Sequence, residues 1–305
     1  MSIDEKTRKK IDYALYRAYL ENPRVTMKEL FRIVGAMRNW KKLHYSAQKI
    51  VDKAFEDNIL VGPHLYCNSG IQVTLFDKKG VKVKCEEDSI GITLVGQYSY
   101  LLISRDDTGN LQYAEVVKPS FPAKVNLEGS ITAEEKKFFD QWFATPQELK
   151  PDKKPQWDET DWKIYWAMRD PRKNFFEVGK ELEMPWEIVR KRFQKIVKDC
   201  KVFMGFFPLG YSTYDPLLVT LTTDYETGIR KWLQGLDRSS WLFKVDDTII
   251  VCLFHTHINL TCLKLSEMEE MGIIRDFKWA VPLFSSEGNS FRSDFFVFFS
   301  FLLHV

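Results

Sequence analysis

The chain is short of most features that mark an enzyme or a membrane protein. Its five cysteines, Cys67, Cys85, Cys200, Cys252 and Cys262, include no Cys-x-x-Cys pair. Scattered thiols in odd number argue for a reducing compartment and against a disulfide framework. A glycine-rich phosphate loop and a Gly-x-Ser-x-Gly elbow are both missing, which removes the usual residues of nucleotide and serine-hydrolase chemistry. Neighbouring carboxylates such as Glu86-Glu87 fall in a charge cluster that reads as a solvated turn, so no acid–base pair follows from spacing. An excess of one charge is missing too. With 44 Lys and Arg against 42 Asp and Glu the net charge is +2, and any basic footprint must be local. No apolar run approaches the ~20 residues of a membrane-spanning helix. Phe295 to Val305 is the nearest, at about half that length, and is expected as a docked strand or sticky tail. Met1 to Lys10 is polar and charged, so no signal peptide is expected and the location is taken as cytoplasmic.

What is present begins with Trp186 to Asp199. Val189, Phe193 and Ile196 fall at i, i+4 and i+7, one buried stripe of an amphipathic helix. Arg190, Lys191, Lys195 and Lys198 lie off that stripe. A shorter periodic segment, Phe176, Val178 and Leu182, precedes it, and Pro185 separates the two because it has no N–H and disfavours a helical Met184. A short helix, a tight turn and a basic helix are the parts of a helix-turn-helix, whose second helix enters the DNA major groove.

The same pattern occurs earlier in the chain. Ile11 to Leu20 reads as a helix. A second follows, with Thr26 and Glu29 as a capping box and Leu30, Ile33 and Val34 on its apolar face. Asn39 to Phe55 is the third, with Leu43, Ala47, Ile50 and Ala54 inside and Arg38, Lys41, Lys42, Lys49 and Lys53 outside. Asp161, Ile164 and Tyr165 echo Asp12, Leu15 and Tyr16. Asp170-Pro171-Arg172 echoes Asn22-Pro23-Arg24, and Gln194 to Val197 repeats Gln48 to Val51 letter for letter. Ordered echoes at nearly constant spacing indicate two copies of one tri-helical unit.

Strands follow each copy. Ile71 to Phe76, Gly91 to Ser104 and Leu111 to Lys118 alternate apolar and polar residues after the first. After the second the order is strand Leu217–Thr223, helix Tyr225–Leu236, strands Trp241–Val245 and Thr248–His257, helix Leu260–Met271 and strand Ile273–Phe284. That order, βαββαβ, is the ferredoxin-like one. The expected class is α+β: two winged helix-turn-helix units, each followed by a β-rich or ferredoxin-like sandwich. The expected segments are 1–62 (first winged unit), 63–127 (truncated sandwich), 128–157 (helix, then a Pro- and Lys-rich linker), 158–208 (second winged unit), 209–284 (ferredoxin-like domain) and 285–305 (apolar tail).

A winged helix-turn-helix followed by βαββαβ resembles the leucine-responsive (Lrp/AsnC) family of feast/famine regulators. Asp158-Glu159-Thr160-Asp161-x-x-Ile164 is similar to that family's opening motif, and Val189-Arg190-Lys191-Arg192-Phe193 to its recognition helix. Gly96-Gln97-Tyr98-Ser99-Tyr100-Leu101-Leu102 is similar to its strand entry. Pro185 to Val189 lacks the hydroxyls of the family's helix entry. The resemblance implies a transcriptional regulator that is not an enzyme, carries no cofactor, binds double-stranded DNA and is at least a homodimer. Arg190, Lys191, Arg192, Lys195 and Lys198 would contact DNA from one unit, and Arg38, Lys41, Lys42, Lys49 and Lys53 from the other. Amino-acid effectors of the family bind around a Gly-containing turn. Here Asp246-Asp247-Thr248-Ile249 stands in its place, which leaves a small-molecule effector open.

Two other readings and one local cluster complete the set. The same units could serve as a protein-interaction adaptor, as the aromatic load (Trp232, Trp241, Phe243, Phe254) and the apolar tail suggest. The double arrangement also resembles sirohaem decarboxylases, but Gly205-Phe206-Phe207-Pro208 occupies the wing and no Arg-Arg run followed by His is present. Cys252, His255, His257 and Cys262 lie close together, yet residues 252 and 255 point to opposite faces of a strand. No metal is therefore expected there.

Overall fold

The computed structural model describes residues 4–37, 45–77, 89–105 and 109–283. Among these the helices run, in chain order, α1 Glu5–Glu21, α2 Met27–Met37, α3 Tyr45–Glu56, α4 Ala133–Trp142, α5 Glu159–Ala167, α6 Phe175–Glu181, α7 Trp186–Ile196, α8 Glu226–Gly235 and α9 Ile258–Glu270. The strands are β1 Leu60–Tyr66, β2 Ile71–Phe76, β3 Ser89–Gly96, β4 Tyr100–Arg105, β5 Leu111–Val117, β6 Lys201–Phe206, β7 Asp215–Thr222, β8 Ser240–Val245, β9 Thr248–His255 and β10 Arg275–Leu283. The chain is mixed α+β, and none of these helices is long and apolar enough to cross a membrane. The apolar tail, 285–305, lies outside the described residues.

The six expected segments come together as two compact units. One combines Met1–Cys67 with Gln156–Thr213, the other Asn68–Pro155 with Tyr214–Val305.

The first unit holds both tri-helical copies, α1–α3 and α5–α7. Local chemistry starts the helices where expected. Thr26 and Glu29 exchange the two bonds of a capping box, 2.8 and 3.3 Å, and the Asp158 side chain caps α5 by accepting the Asp161 N–H at 2.8 Å. One strand follows each copy, and these strands pair antiparallel with each other, from Leu60↔Phe206 to Tyr66↔Lys201. They form a two-stranded ribbon shared between the copies. A bulge between Val61 and His64 interrupts the ribbon. Gly62 is required there: its φ is +107°, and a Cβ would sit 2.6 Å from the Phe203 carbonyl oxygen.

Sharing the ribbon crosses the two cores. Met204 and Phe206 of β6 pack into the N-terminal copy, against Ile11, Leu15, Tyr16, Leu30 and Ile50. Leu65 of β1 and Cys67 pack into the C-terminal copy, against Ile164, Tyr165, Val189 and Phe193. Alternation along each strand sends these residues to one face, so each copy's core is closed by the other copy's strand. The proline turns reciprocate. Arg24 donates to the carbonyls of Pro171 and Lys173 and lies 4.1 Å over the Phe175 ring, while Arg172 lies 5.9 Å over Phe55.

The second unit is built on a single eight-stranded sheet in the order β2-β4-β3-β10-β7-β9-β8-β5. This corrects the expectation of a separate truncated sandwich over 63–127, because β3 pairs with β10 and β5 with β8. Within the sheet, β7-α8-β8-β9-α9-β10 keeps the expected βαββαβ order, with strands arranged β10-β7-β9-β8. Leu217, Val219, Leu221, Val251 and Leu253 face α4, α8 and α9, packing against Phe139, Trp232, Leu233 and Leu265. The alternate residues Leu218, Ile250, Cys252, Phe254 and Trp241 are buried on the opposite face. The sheet curls until its edge strands meet at one corner. There the Asn110 amide donates to the Val73 carbonyl at 3.1 Å and accepts the Val73 N–H at 2.8 Å. A buried ion pair joins α9 to α4, Lys264 to Glu135 at 2.9 Å, with the Ser130 carbonyl accepting a second bond from the lysine.

The stretch expected as a linker is docked. Gln147 N–H donates to the Asp224 carbonyl, Asp152 N–H to the Gln112 carbonyl and Leu149 N–H to the buried Glu226 carboxylate, at 2.7–2.9 Å.

Candidate nucleic-acid interface

α6 and α7 meet across a turn that the sequence enforces. Asn174 caps α6 by accepting the Phe176 N–H. The chain then passes through Glu183 at φ +52° and enters α7 at Pro185. Met184 N–H donates to the Gly179 carbonyl at 2.9 Å. A Cβ on Gly179 would lie 2.8 Å from the Met184 oxygen, so only glycine lets the turn approach this closely. Val189, Phe193 and Ile196 are buried as expected.

Five cations of α7 and its end were expected on one DNA-facing surface. They divide into two groups. Arg192 bonds Asp158 at 2.7 Å and Asp161 at 2.9 Å, and Lys195 bonds Asp161 at 2.8 Å. Asp161 is fully buried, and burial alone would raise its carboxyl. The bonds from Lys195 and Arg192 outweigh that and hold it below its ordinary 3.8. The Arg192 bond likewise holds the exposed Asp158 carboxyl low. These two cations therefore pin α7 to the start of α5. Arg190, Lys191 and Lys198 are exposed and have no ion-pair partner among the described residues.

In the N-terminal copy, Lys49 and Lys53 are exposed on α3, with Lys53 3.5 Å from Asp57 in a surface pair. Arg38, Lys41 and Lys42 lie outside the described residues.

Two features escaped the sequence reading. Phe176, placed on an apolar stripe, is 54% exposed with Lys180 4.5 Å over its ring. The inward residue is its neighbour Phe175, edge-on to Phe193 at 5.5 Å. Trp186 and Ile188, at the start of α7, are also exposed, at 39% and 44%. The acidic anchors were missed as anchors. Their signal was there, two aspartates one turn apart at the start of α5, but their partners lie more than thirty residues on.

Elsewhere, the second unit has a polar cleft of about 680 Å³ lined by Thr222, Asp224, Glu226, Lys244, Asp247 and Arg275 among others. Its two cations are already matched, Lys244 with Glu226 and Arg275 with Asp224, each at 2.8 Å. Of the Cys/His cluster, Cys252 and His255 are buried on opposite faces of β9 and His257 is exposed. Comparison with protein-family models, with curated proteins and with solved structures finds no match.

Proposed function

We propose that the first unit is a double-stranded DNA-binding module of winged helix-turn-helix type, and that the protein is a transcriptional regulator. The observation that supports this most is the division of labour on α7. Arg192 and Lys195 fix the helix, and Arg190, Lys191 and Lys198 remain exposed on it. Phosphate contacts from such cations position a protein on DNA, and arginine reads guanine edges. The duplicated unit would supply within one chain the two reading heads that a dimer normally supplies. Fluorescence anisotropy of a labelled duplex, titrated in salt, tests the reading. Wild type is expected to show a steep salt slope, and Arg190→Ala with Lys191→Ala and Lys198→Ala to lower that slope by up to about 3. Salt-insensitive binding that ignores the variant would overturn it.

A second reading, protein contact through the same helices, is favoured by the exposed Phe176, Trp186 and Ile188. Under it, Trp186→Ala would abolish partner capture and leave DNA affinity unchanged. A homodimer is also proposed, and a monomer by light scattering at micromolar concentration would refute it.

A further inference from the structure

The β1–β6 ribbon ends at the pair Tyr66↔Lys201. The next residue along on each side is a cysteine, Cys67 and Cys200. Residues opposite each other in antiparallel strands have Cα atoms about 4.5–5.5 Å apart, inside the ~4.4–6.8 Å that a disulfide spans. The two thiols lie within hydrogen-bonding reach of each other, and Cys67 also bonds the buried Tyr165 hydroxyl. Both are free thiols, Cys67 buried and Cys200 half-buried. So cysteines that look scattered in the sequence meet where the two tri-helical copies are joined.

We infer that Cys67 and Cys200 are a disulfide-forming pair, oxidised by a peroxide, that staples the two copies at the end of their shared ribbon. One sulfur, as thiolate, attacks a peroxide oxygen. The S–O bond forms, the O–O bond breaks, and hydroxide leaves as water after taking a proton. The second thiolate then attacks the sulfenic sulfur, forming S–S and releasing the oxygen as a second water once protonated. Two thiols and one hydrogen peroxide thus give one disulfide and two waters. The bond to Cys67, and then burial, push the Cys200 thiol up. Attack needs a thiolate, so oxidation quickens as pH rises, approaching about tenfold per unit while the attacking thiol is mostly protonated. The staple does not depend on what the helices bind.

The test treats the intact protein with dilute hydrogen peroxide at pH 7, 8 and 9, followed by intact-mass and non-reduced peptide mapping. The expected result is loss of about 2 Da, one linked peptide pair carrying Cys67 and Cys200, and a melting temperature at least ~5 °C higher. Cys200→Ser is expected to abolish the linked pair and the melting shift. A linkage through Cys85, Cys252 or Cys262, oxygen adducts on Cys67 or Cys200 without cross-linking, or no reaction at pH 9 would each overturn the inference. The map on wild type decides the matter even if the serine variant misfolds.

Discussion

Asp12 and Asp161 occupy the same place in the two tri-helical copies, and their surroundings push them in opposite directions. Asp12 is buried on α1 and bonds Arg8, one turn earlier on its own helix, at 2.9 Å. Burial outweighs that arginine and lifts its carboxyl above 3.8. Asp161 is as buried, but its cations come from another helix, and its carboxyl is held below 3.8. The lowering at Asp161 comes from Lys195 and Arg192 together. In the repeat Lys49 corresponds to Lys195, whereas Ser46 stands where the other copy has Arg192. In the C-terminal copy a buried acid locks the basic helix. In the N-terminal copy Arg8, which pairs with Asp12, also donates a long 3.4 Å bond to the Ile50 carbonyl of α3. The two copies share a fold and differ in how their basic helices are held.

The largest effects should come from the crossed cores. Phe206→Ala is expected to cost about 3–5 kcal/mol and to speed hydrogen exchange in α1–α3, although Phe206 follows the other copy in sequence. Leu65→Ala, at about 2–5 kcal/mol, should loosen α5–α7. Exchange confined to the copy nearest in sequence would refute the exchange of strands.

Next is the paired acid. Asp161→Asn removes the charge that Arg192 and Lys195 share, and should cost about 2 kcal/mol. Asp12→Asn should cost under ~1 kcal/mol, because burial already disfavours that carboxylate. Equal losses in chemical denaturation would erase the distinction between the copies. The same pair predicts a pH dependence. Asp161 contributes stability that is present above 3.8 and is lost as pH falls through its lower folded value. Asp12 behaves oppositely: its contribution is present below 3.8 and declines as pH rises through its higher folded value. Acidification should therefore accelerate exchange in α5–α7 before α1–α3, and the reverse order would contradict the assignment.

The smallest expected difference concerns the proline turns. Arg24→Ala removes two carbonyl bonds and a ring contact, and should cost about 1–2 kcal/mol. Arg172→Ala is expected to cost only about 0.5 kcal/mol, since its main partner, Asp170 at 3.0 Å, is in its own turn.

Local pattern carried much of the fold. The periods of Val189, Phe193 and Ile196, and the alternation through β7 to β10, are set by neighbours a few residues away, and they placed the helices and strands closely. What could not be read is what joins distant parts. Nothing in Leu60–Tyr66 names Lys201–Phe206 as its partner, and the pairing of β3 with β10 spans nearly the whole second unit. The docked stretch around Leu149 reads as linker because its composition is polar, yet its backbone bonds hold it in place. Phe175 and Phe176 are adjacent aromatics, and only the packing against Phe193 decides which turns inward. At the candidate interface the residue types were legible, but which cations are spent on Asp158 and Asp161 depended on the approach of α5 to α7.

The most direct test of the central reading is hydroxyl-radical footprinting of the intact protein on the duplex upstream of its own coding sequence. The account predicts two protected patches on one face of the duplex, with one lost in the Arg190→Ala, Lys191→Ala, Lys198→Ala variant. Unprotected DNA, or a footprint unchanged by that variant, would contradict it.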